Sequence, residues 1–435
     1  MFSAVSNLGA GGTEDIVLSD TANGVLYGCF AIMGLFAGGV TNLLGPRITL
    51  FLGTLGYTLY IGALWCFETQ GTRWFVIFAG AVLGITAALL WSAQGAIMMS
   101  YPLEKDKGKA FGVFWAIFQF GSFIGAVIAL AINIRSGGLS AVSTGTYTAI
   151  IIITFIGMAS VLLLIPPESV VRADGTLVKI QKSTSPREEI RSFFKLFTDW
   201  RMLALTPMFF ASNYFYAYQG AVNAFYFDGP TRAVNATLEG AGAIIGALII
   251  GFCVLDVPGV RRRNRGWLGL AFVSVCTIVI WSCALSWQVG FTRSTPKPFL
   301  NYKDSRFSAK GTLYFFFYFG DATYQALAYW IMGAITNDPF KLARYAGFYK
   351  AIQSAANAGS FGMDAVATPF LNEHLASWCL MLVSLPLAGL VIYHVHDTSY
   401  QDEKTVYVDD AKAEKVEEGG AEAGAATPDE KEPVE

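Results

Sequence analysis

Charge is scarce in this chain. Asp, Glu, Lys and Arg make up 14% of its 435 residues, where a soluble domain carries about 25%. That deficit argues against a large soluble enzyme. Histidine occurs three times, as His374, His394 and His396, all at the ends or outside of one apolar run; for His394 and His396 interfacial anchoring suits this better than a metal site. No hydrolase or kinase constellation is visible. The six cysteines (Cys29, Cys66, Cys253, Cys276, Cys283, Cys379) never form C-x-x-C and all lie in apolar runs. Buried thiols behave as small hydrophobes, so neither a disulfide framework nor a bound metal is expected. No basic block long enough for nucleic acid occurs, and the net charge is only −2.

What fills the chain is apolar. Hydrophobic residues make up 54%, with 34 Phe and 45 Gly. Glycine at this level is common in membrane helices, where small residues let backbones approach. Crossing the hydrocarbon takes about 20 apolar residues. Eleven runs meet that need: 22–44, 48–67, 74–100, 110–134, 146–165, 202–225, 237–256, 267–288, 312–334, 344–364 and 376–396. The runs are continuous and not alternating, so helices are expected and not a barrel. The fold class is therefore an all-α polytopic membrane protein, whose first partner is the lipid bilayer.

Four regions follow. Residues 1–165 form one half-bundle, 166–201 a connecting loop, 202–396 a second half-bundle of six spans, and 397–435 a tail. Within the loop, Ile190, Phe193, Phe194, Leu196 and Phe197 recur near helical spacing with Arg191 and Lys195 between them. This reads as a short helix on the membrane face, the alternative being a solvated linker. From Gln401 onward the tail holds 12 acidic and 4 basic residues. It is Glu-, Ala-, Gly-, Lys- and Pro-rich and is expected to be disordered.

An internal repeat organises the spans. Asn42-Leu43-Leu44-Gly45-Pro46-Arg47 matches Asp256-Val257-Pro258-Gly259-Val260-Arg261 in the offsets of Asn/Asp, Gly and Arg, with glycine-bearing helix ends before each. Span 110–134 opens on Gly112-Val113-Phe114 and later has Gly121-Ser122-Phe123, as span 344–364 opens on Gly347-Phe348-Tyr349 and later has Gly359-Ser360-Phe361. Each match is six spans apart. An even offset preserves orientation, so the repeats are parallel. The repeat calls for one more helix before span 22–44. Residues 1–12 are too short to cross, so a body of six plus six with a truncated first helix is expected, a shortened form unable to alternate access alone. Residues 1–12 would be a helical stub, leaving Trp91, Gln94 and the polar face of span 202–225 open to lipid.

Two parallel six-helix halves joined by a long loop resemble the major facilitator superfamily. The Asn42–Arg47 stretch is similar to that superfamily's signature loop, with Asn42 in the acid's place and Leu43 and Pro46 in basic places, while Asp256 keeps the acid. Asn42 to Tyr60 and Leu90 to Pro102 resemble the Unc-93-like family in its fungal form. That resemblance spans about residues 1–400. It implies a transporter-like protein, a regulator of ion channels, or a trafficking companion of other membrane proteins, in the plasma membrane or an endomembrane. It also implies a cavity lined by spans 74–100, 202–225 and 312–334.

Candidate site residues follow. Span 74–100 brings Trp91 and Gln94, and span 312–334 brings Asp321, Tyr324 and Gln325. Asn213, Tyr216, Gln219 and Asn223 step by 3, 3 and 4 along one helical face. An acid near a helix centre costs roughly 2.5–3.5 kcal/mol to insert, so Asp321 needs a partner or a water-filled cavity. It is expected to face the cavity. Lys350, Gln353 and Asn357 lie on span 344–364. Asp321 and Asn357 fall at similar depth and Lys350 about a turn deeper, so a direct Asp321–Lys350 pair requires tilt. Gly240-Ala241-Gly242-Ala243-Ile244-Ile245-Gly246 misses the dinucleotide fingerprint and has no strand before it, so no cofactor is expected. The substrate is an unspecified small solute or ion.

Orientation follows from loop charge. One set of loops carries seventeen Lys and Arg, the other eight, and the latter includes the sequon Asn235-Ala236-Thr237. The 166–201 loop and the tail are therefore cytosolic, and Asn235, a candidate glycosylation site, is not. Cysteines placed in the 166–201 and 289–311 loops of intact cells test this: only the second is expected to react with an impermeant maleimide.

Overall fold

The computed structural model describes residues 16–136, 144–165, 169–172, 174–176, 178 and 185–399. The expected stub at 1–12 and the acidic tail lie outside them. Regular structure among the described residues is almost all helical. The first half supplies α1 (Ile16–Leu44), α2 (Pro46–Gln70), α3 (Arg73–Ser100), α4 (Lys107–Ser136) and α5 (Thr144–Val161). α6 (Pro186–Leu196) lies in the connecting loop. The second half supplies α7 (Trp200–Tyr214), α8 (Tyr216–Tyr226), α9 (Gly229–Ile249), α10 (Arg262–Gln288), α11 (Phe307–Ile335), α12 (Pro339–Ala365) and α13 (Phe370–Tyr393). A helix thus stands at each expected span. Six of them satisfy length and apolarity for crossing a membrane without further argument. Exposed Ile32, Phe36, Ile117, Val275 and Val383 face outward as a lipid-facing surface requires.

The span at 202–225 departs from expectation. It is broken at Phe215, whose φ of −78° and ψ of −9° end α7. The Ser360 hydroxyl donates to the Tyr214 carbonyl there, a side chain entering the backbone ladder, which is a recognised cause of helix breaks.

Two glycine contacts join the halves, one between α1 and α12, the other between α9 and α4. A Cβ on Gly347 would lie 2.8 Å from the Gly34 carbonyl oxygen, and one on Gly112 would lie 2.7 Å from that of Ala247. Gly112 and Gly347 are equivalent in the repeat, so the same device closes both seams. The repeat is not quite in register: Gly38 precedes Asn42 by four residues, and Gly251 precedes Asp256 by five. A π-helical stretch at Ile250–Leu255 absorbs the extra residue. It carries Asp256 to the first turn of α4, where Oδ2 accepts the Lys109 backbone N–H at 2.6 Å. A carboxylate at a helix N-terminus is favourable. Asn42 sits equivalently near α12, donating to the Phe340 carbonyl at 3.2 Å.

Burial pushes the Asp256 carboxyl up to about 6, against the opposing pull of the Lys109 amide and the Arg265 guanidinium. A raised folded-state pKa stabilises the fold fully below the unfolded value, about pH 4, and that contribution is lost as pH rises through about 6. The thermal midpoint of the detergent-solubilised protein is therefore expected to fall between pH 4 and 7 by more in wild type than in Asp256→Asn, a difference of at most about 3 kcal/mol. Equal slopes overturn this assignment. At the seams, Gly38→Ala places a methyl 2.6 Å from the Ala343 carbonyl oxygen. It is expected to cost about 1–3 kcal/mol, read as a lowered midpoint, while Gly62→Ala, inside α2 with nothing nearby, leaves the midpoint equal or slightly raised, since Ala is the better helix former.

Candidate functional site

The seams bring α3, α7, α8, α11 and α12 together, and their polar side chains meet at mid-depth. Asp321 on α11 is 1% exposed. Its Oδ2 accepts the Tyr216 hydroxyl at 2.6 Å and its Oδ1 accepts Gln325 Nε2 at 2.8 Å. Gln325 continues to Asn213 Oδ1 at 3.2 Å. Gln353 Nε2 on α12 lies 2.8 Å from Ser212 Oγ, 2.9 Å from Asn213 Oδ1 and 3.3 Å from Gln325 Oε1. Lys350 ends the chain, donating to Gln353 Oε1 at 2.7 Å. Its ammonium also lies over the rings of Trp91 at 4.6 Å, Tyr349 at 4.9 Å and Tyr329 at 5.6 Å. Such contacts are worth about 2 kcal/mol when desolvated. Trp91 belongs to the first half, so Lys350 links the two halves. Asp321 and Lys350 are both buried, yet neither makes an ion pair among the described residues. They communicate through Gln325 and Gln353.

The sequence-derived candidates divide on inspection. Trp91, Asn213, Tyr216, Asp321, Gln325, Lys350 and Gln353 converge. Tyr324 turns away, its hydroxyl 2.5 Å from Ser384 Oγ on α13. The break at Phe215 splits the four-residue stripe. Gln219, beyond it, is buried against a small cavity beside Asp321 and has no hydrogen-bond partner for its amide among the described residues. Asn223 accepts Asn235 Nδ2 at 2.9 Å. Asn235 is wholly buried inside α9, an arrangement that leaves no room for a glycan on that nitrogen. Asn357 lies beside the Tyr27 hydroxyl, away from Asp321. The Gln94 amide is enclosed and unpartnered among the described residues. The expected opening of Trp91, Gln94 and the stripe to lipid is not what the helices form: Gln219 and Asn223 are buried and Trp91 lies under Lys350. His374 belongs to the packed core of the second half. It is fully buried in α13, its ring 5.0 Å from that of Trp281 and 5.4 Å from that of Tyr218.

At the end of the bundle that holds the repeated loops, these turn at Gly45 and Gly259, with φ of 80° and 76°, conformations that only glycine adopts freely. Arg47 donates to the Leu162 carbonyl, and Arg261 precedes α10 exposed. Sequence reasoning missed the residues that tie this end together. Glu104 receives Arg262 at 3.1 Å and the Ser399 backbone N–H at 2.9 Å, and it also receives Asn337. Lys107 donates to the Gly333 carbonyl and to Asn337 Oδ1, each at 2.7 Å. Burial opposes ionisation of Glu104, but the Arg262 guanidinium and the Asn337 amide outweigh it and hold the carboxyl below the usual range. Beside this clasp, Glu189 of α6 receives Arg344 at 3.0 Å and Asn42 at 3.0 Å. A buried charge in a polar loop carries no periodic signal. The capping box Ser185–Glu188, formed at the start of α6, is the local pattern that could have placed Glu189.

Residues 21–392 match a family profile described as ion channel regulatory protein UNC-93. The chain is 39% identical to an UNC93-like protein of Schizosaccharomyces pombe over 402 residues, which is 90% of this chain and 79% of that protein. It is 36% identical to UNC93-like protein 1 of Arabidopsis thaliana, over 90% of this chain and 86% of that one. Its fold is similar to that of the Escherichia coli fucose:proton symporter, at a TM-score of 0.61 and 12% identity, over 90% of this chain and 95% of that one. It is also similar to a proton:xylose symporter of the major facilitator superfamily, at 0.56 and 12%, over 86% and 85%. The fold is thus the all-helical, multi-pass facilitator bundle, and on the profile match and these relatives the chain belongs to the UNC-93 family.

Proposed function

We propose that this protein moves a small solute or ion across a membrane by rocking its two half-bundles about the glycine seams. One observation carries the reading: a buried acid and a buried base, unpaired with each other, joined by amides at the junction of the halves. Such groups are costly inside a membrane and mark pathways or ligand sites. A network serving packing alone would be expected to pair its charges directly, because an uncompensated buried charge is strongly unfavourable. The cytosolic clasp of Glu104, Arg262, Asn337 and Lys107 closes one end, so access would alternate as it opens. The half-bundles at 1–165 and 202–396 are the moving bodies, and the membrane is the plasma membrane or an endomembrane with the tail in the cytosol.

The profile's description supports a second reading, a non-transporting regulator or companion of another membrane protein. Reconstituted vesicles separate the two. Asp321→Asn is expected to reduce solute flux at least tenfold while the protein still folds, because Asn keeps the Tyr216 contact and loses the charge. Unchanged flux removes Asp321 from the mechanism. A wild-type protein inactive across a solute screen, yet co-purifying with a channel, supports the regulator.

A further inference from the structure

Among the buried polar groups without a partner in the described residues, the Gln219 amide is the one that lines a cavity with Asp321. The Gln219 side chain is 3% exposed, and both atoms of its amide lack a hydrogen-bond partner among the described residues. Leaving such a group unsatisfied costs about 1–3 kcal/mol. Gln219 lines a cavity between α8, α10, α11 and α13 that is about the size of one water. Asp321 and Thr277 face the same space, and the rings of Trp281 and Phe317 help to wall it. Of the central network only Asp321 reaches this cavity. Tyr216, Gln325, Gln353 and Lys350 do not line it.

A carboxylate, an amide oxygen and a hydroxyl are all hard oxygen donors, the set that hard cations choose. The space is too small for a hydrated ion and too polar to be an apolar packing defect. Net charge decides between a cation and an anion: Asp321 is the one charged group on the cavity, and no Lys, Arg or His lines it. Aromatic walls also favour a cation, through the negative faces of the rings.

From this geometry we infer that the cavity bounded by Asp321, Gln219 and Thr277 binds a single dehydrated monovalent cation. The inference deepens the transport reading and rests on it for its purpose. Asp321 then stands between two cations, the bound ion and the Lys350 ammonium at the far end of the amide chain. Filling the cavity weakens the hold of Asp321 on Lys350, which frees Lys350 and Gln353 to rearrange around a solute. The bound ion is thereby coupled to the network that joins the halves.

The test is binding, read apart from flux. Thermal midpoints of the purified full chain are measured in sodium, potassium or choline chloride at constant ionic strength, with binding of a radiolabelled alkali cation measured in parallel. One alkali cation is expected to raise the midpoint saturably, with choline inert. Asp321→Asn and Gln219→Leu are expected to weaken the apparent affinity tenfold or more, Thr277→Val less, and Tyr324→Phe, whose hydroxyl is held by Ser384 and which does not line the cavity, not at all. Should the Asp321 and Gln219 variants fail to fold, the radiolabel on wild type and Thr277→Val decides. Equal midpoints in all three salts with no radiolabel bound, or the same saturable shift in Gln219→Leu as in wild type, overturn the site and leave water as the occupant. Saturable binding without measurable flux keeps the site and removes the transport reading. Flux that needs Asp321 without cation binding does the reverse.

Discussion

No water reaches the hydrocarbon to satisfy a polar group, and the rest of this architecture answers to that constraint. Helices satisfy their own backbones, which is why the described residues are helical almost throughout. Side chains have no such internal solution. Each Asp, Lys, Gln or Asn placed at depth must find another polar side chain, and the helices must approach closely enough to let it. The glycine seams supply that approach. Without Gly34 against Gly347 and Gly112 against Ala247, a methyl would hold the halves apart, and Lys350 would lose the ring of Trp91. Packing and polar chemistry are therefore one requirement here. The small residues make the seam, and the seam makes the network possible.

Much of the fold was legible in the sequence because the bilayer imposes a long, one-dimensional signal. About 20 consecutive apolar residues are hard to mistake, and all eleven expected runs carry helix. The repeat was legible because glycine, Asn/Asp and arginine are needed at fixed places in a helix–loop–helix. The break at Phe215 was not, because its cause is a hydroxyl on α12, remote in sequence. The register shift before Asp256 was visible as an extra residue, but only the π-helical turn gives it meaning.

The site was legible in composition and not in direction. Asp321, Lys350 and the amides announced themselves as polar residues within apolar runs. Which of them face one another depends on rotation about each helix axis, and a stripe on one helix does not fix that. So Asn213 and Tyr216 reached the network, Asn223 turned to Asn235, and Tyr324 turned to Ser384. A direct Asp321–Lys350 pair, which required tilt, does not form among the described residues. Two glutamines bridge the space between them.

The two halves solve one shared problem differently. In the second half the acid of the repeated loop is Asp256, placed at the first turn of α4 within its own loop sequence. In the first half the equivalent place is Asn42, which brings no charge. The carboxylate there comes from outside the repeat, from Glu189 of the connecting helix, which Asn42 and Arg344 both address. An uncharged Asn is what allows this. An acid at position 42 would face Glu189 at hydrogen-bond distance, and two carboxylates so close cannot both stay ionised. The connecting helix thus ties the two halves together at this end of the bundle. Glu189 touches α1 of the first half and α12 of the second at once, so any rocking that parts those helices must also break its contacts. The substitution that makes the signature loop look degenerate is what lets the linker carry the charge.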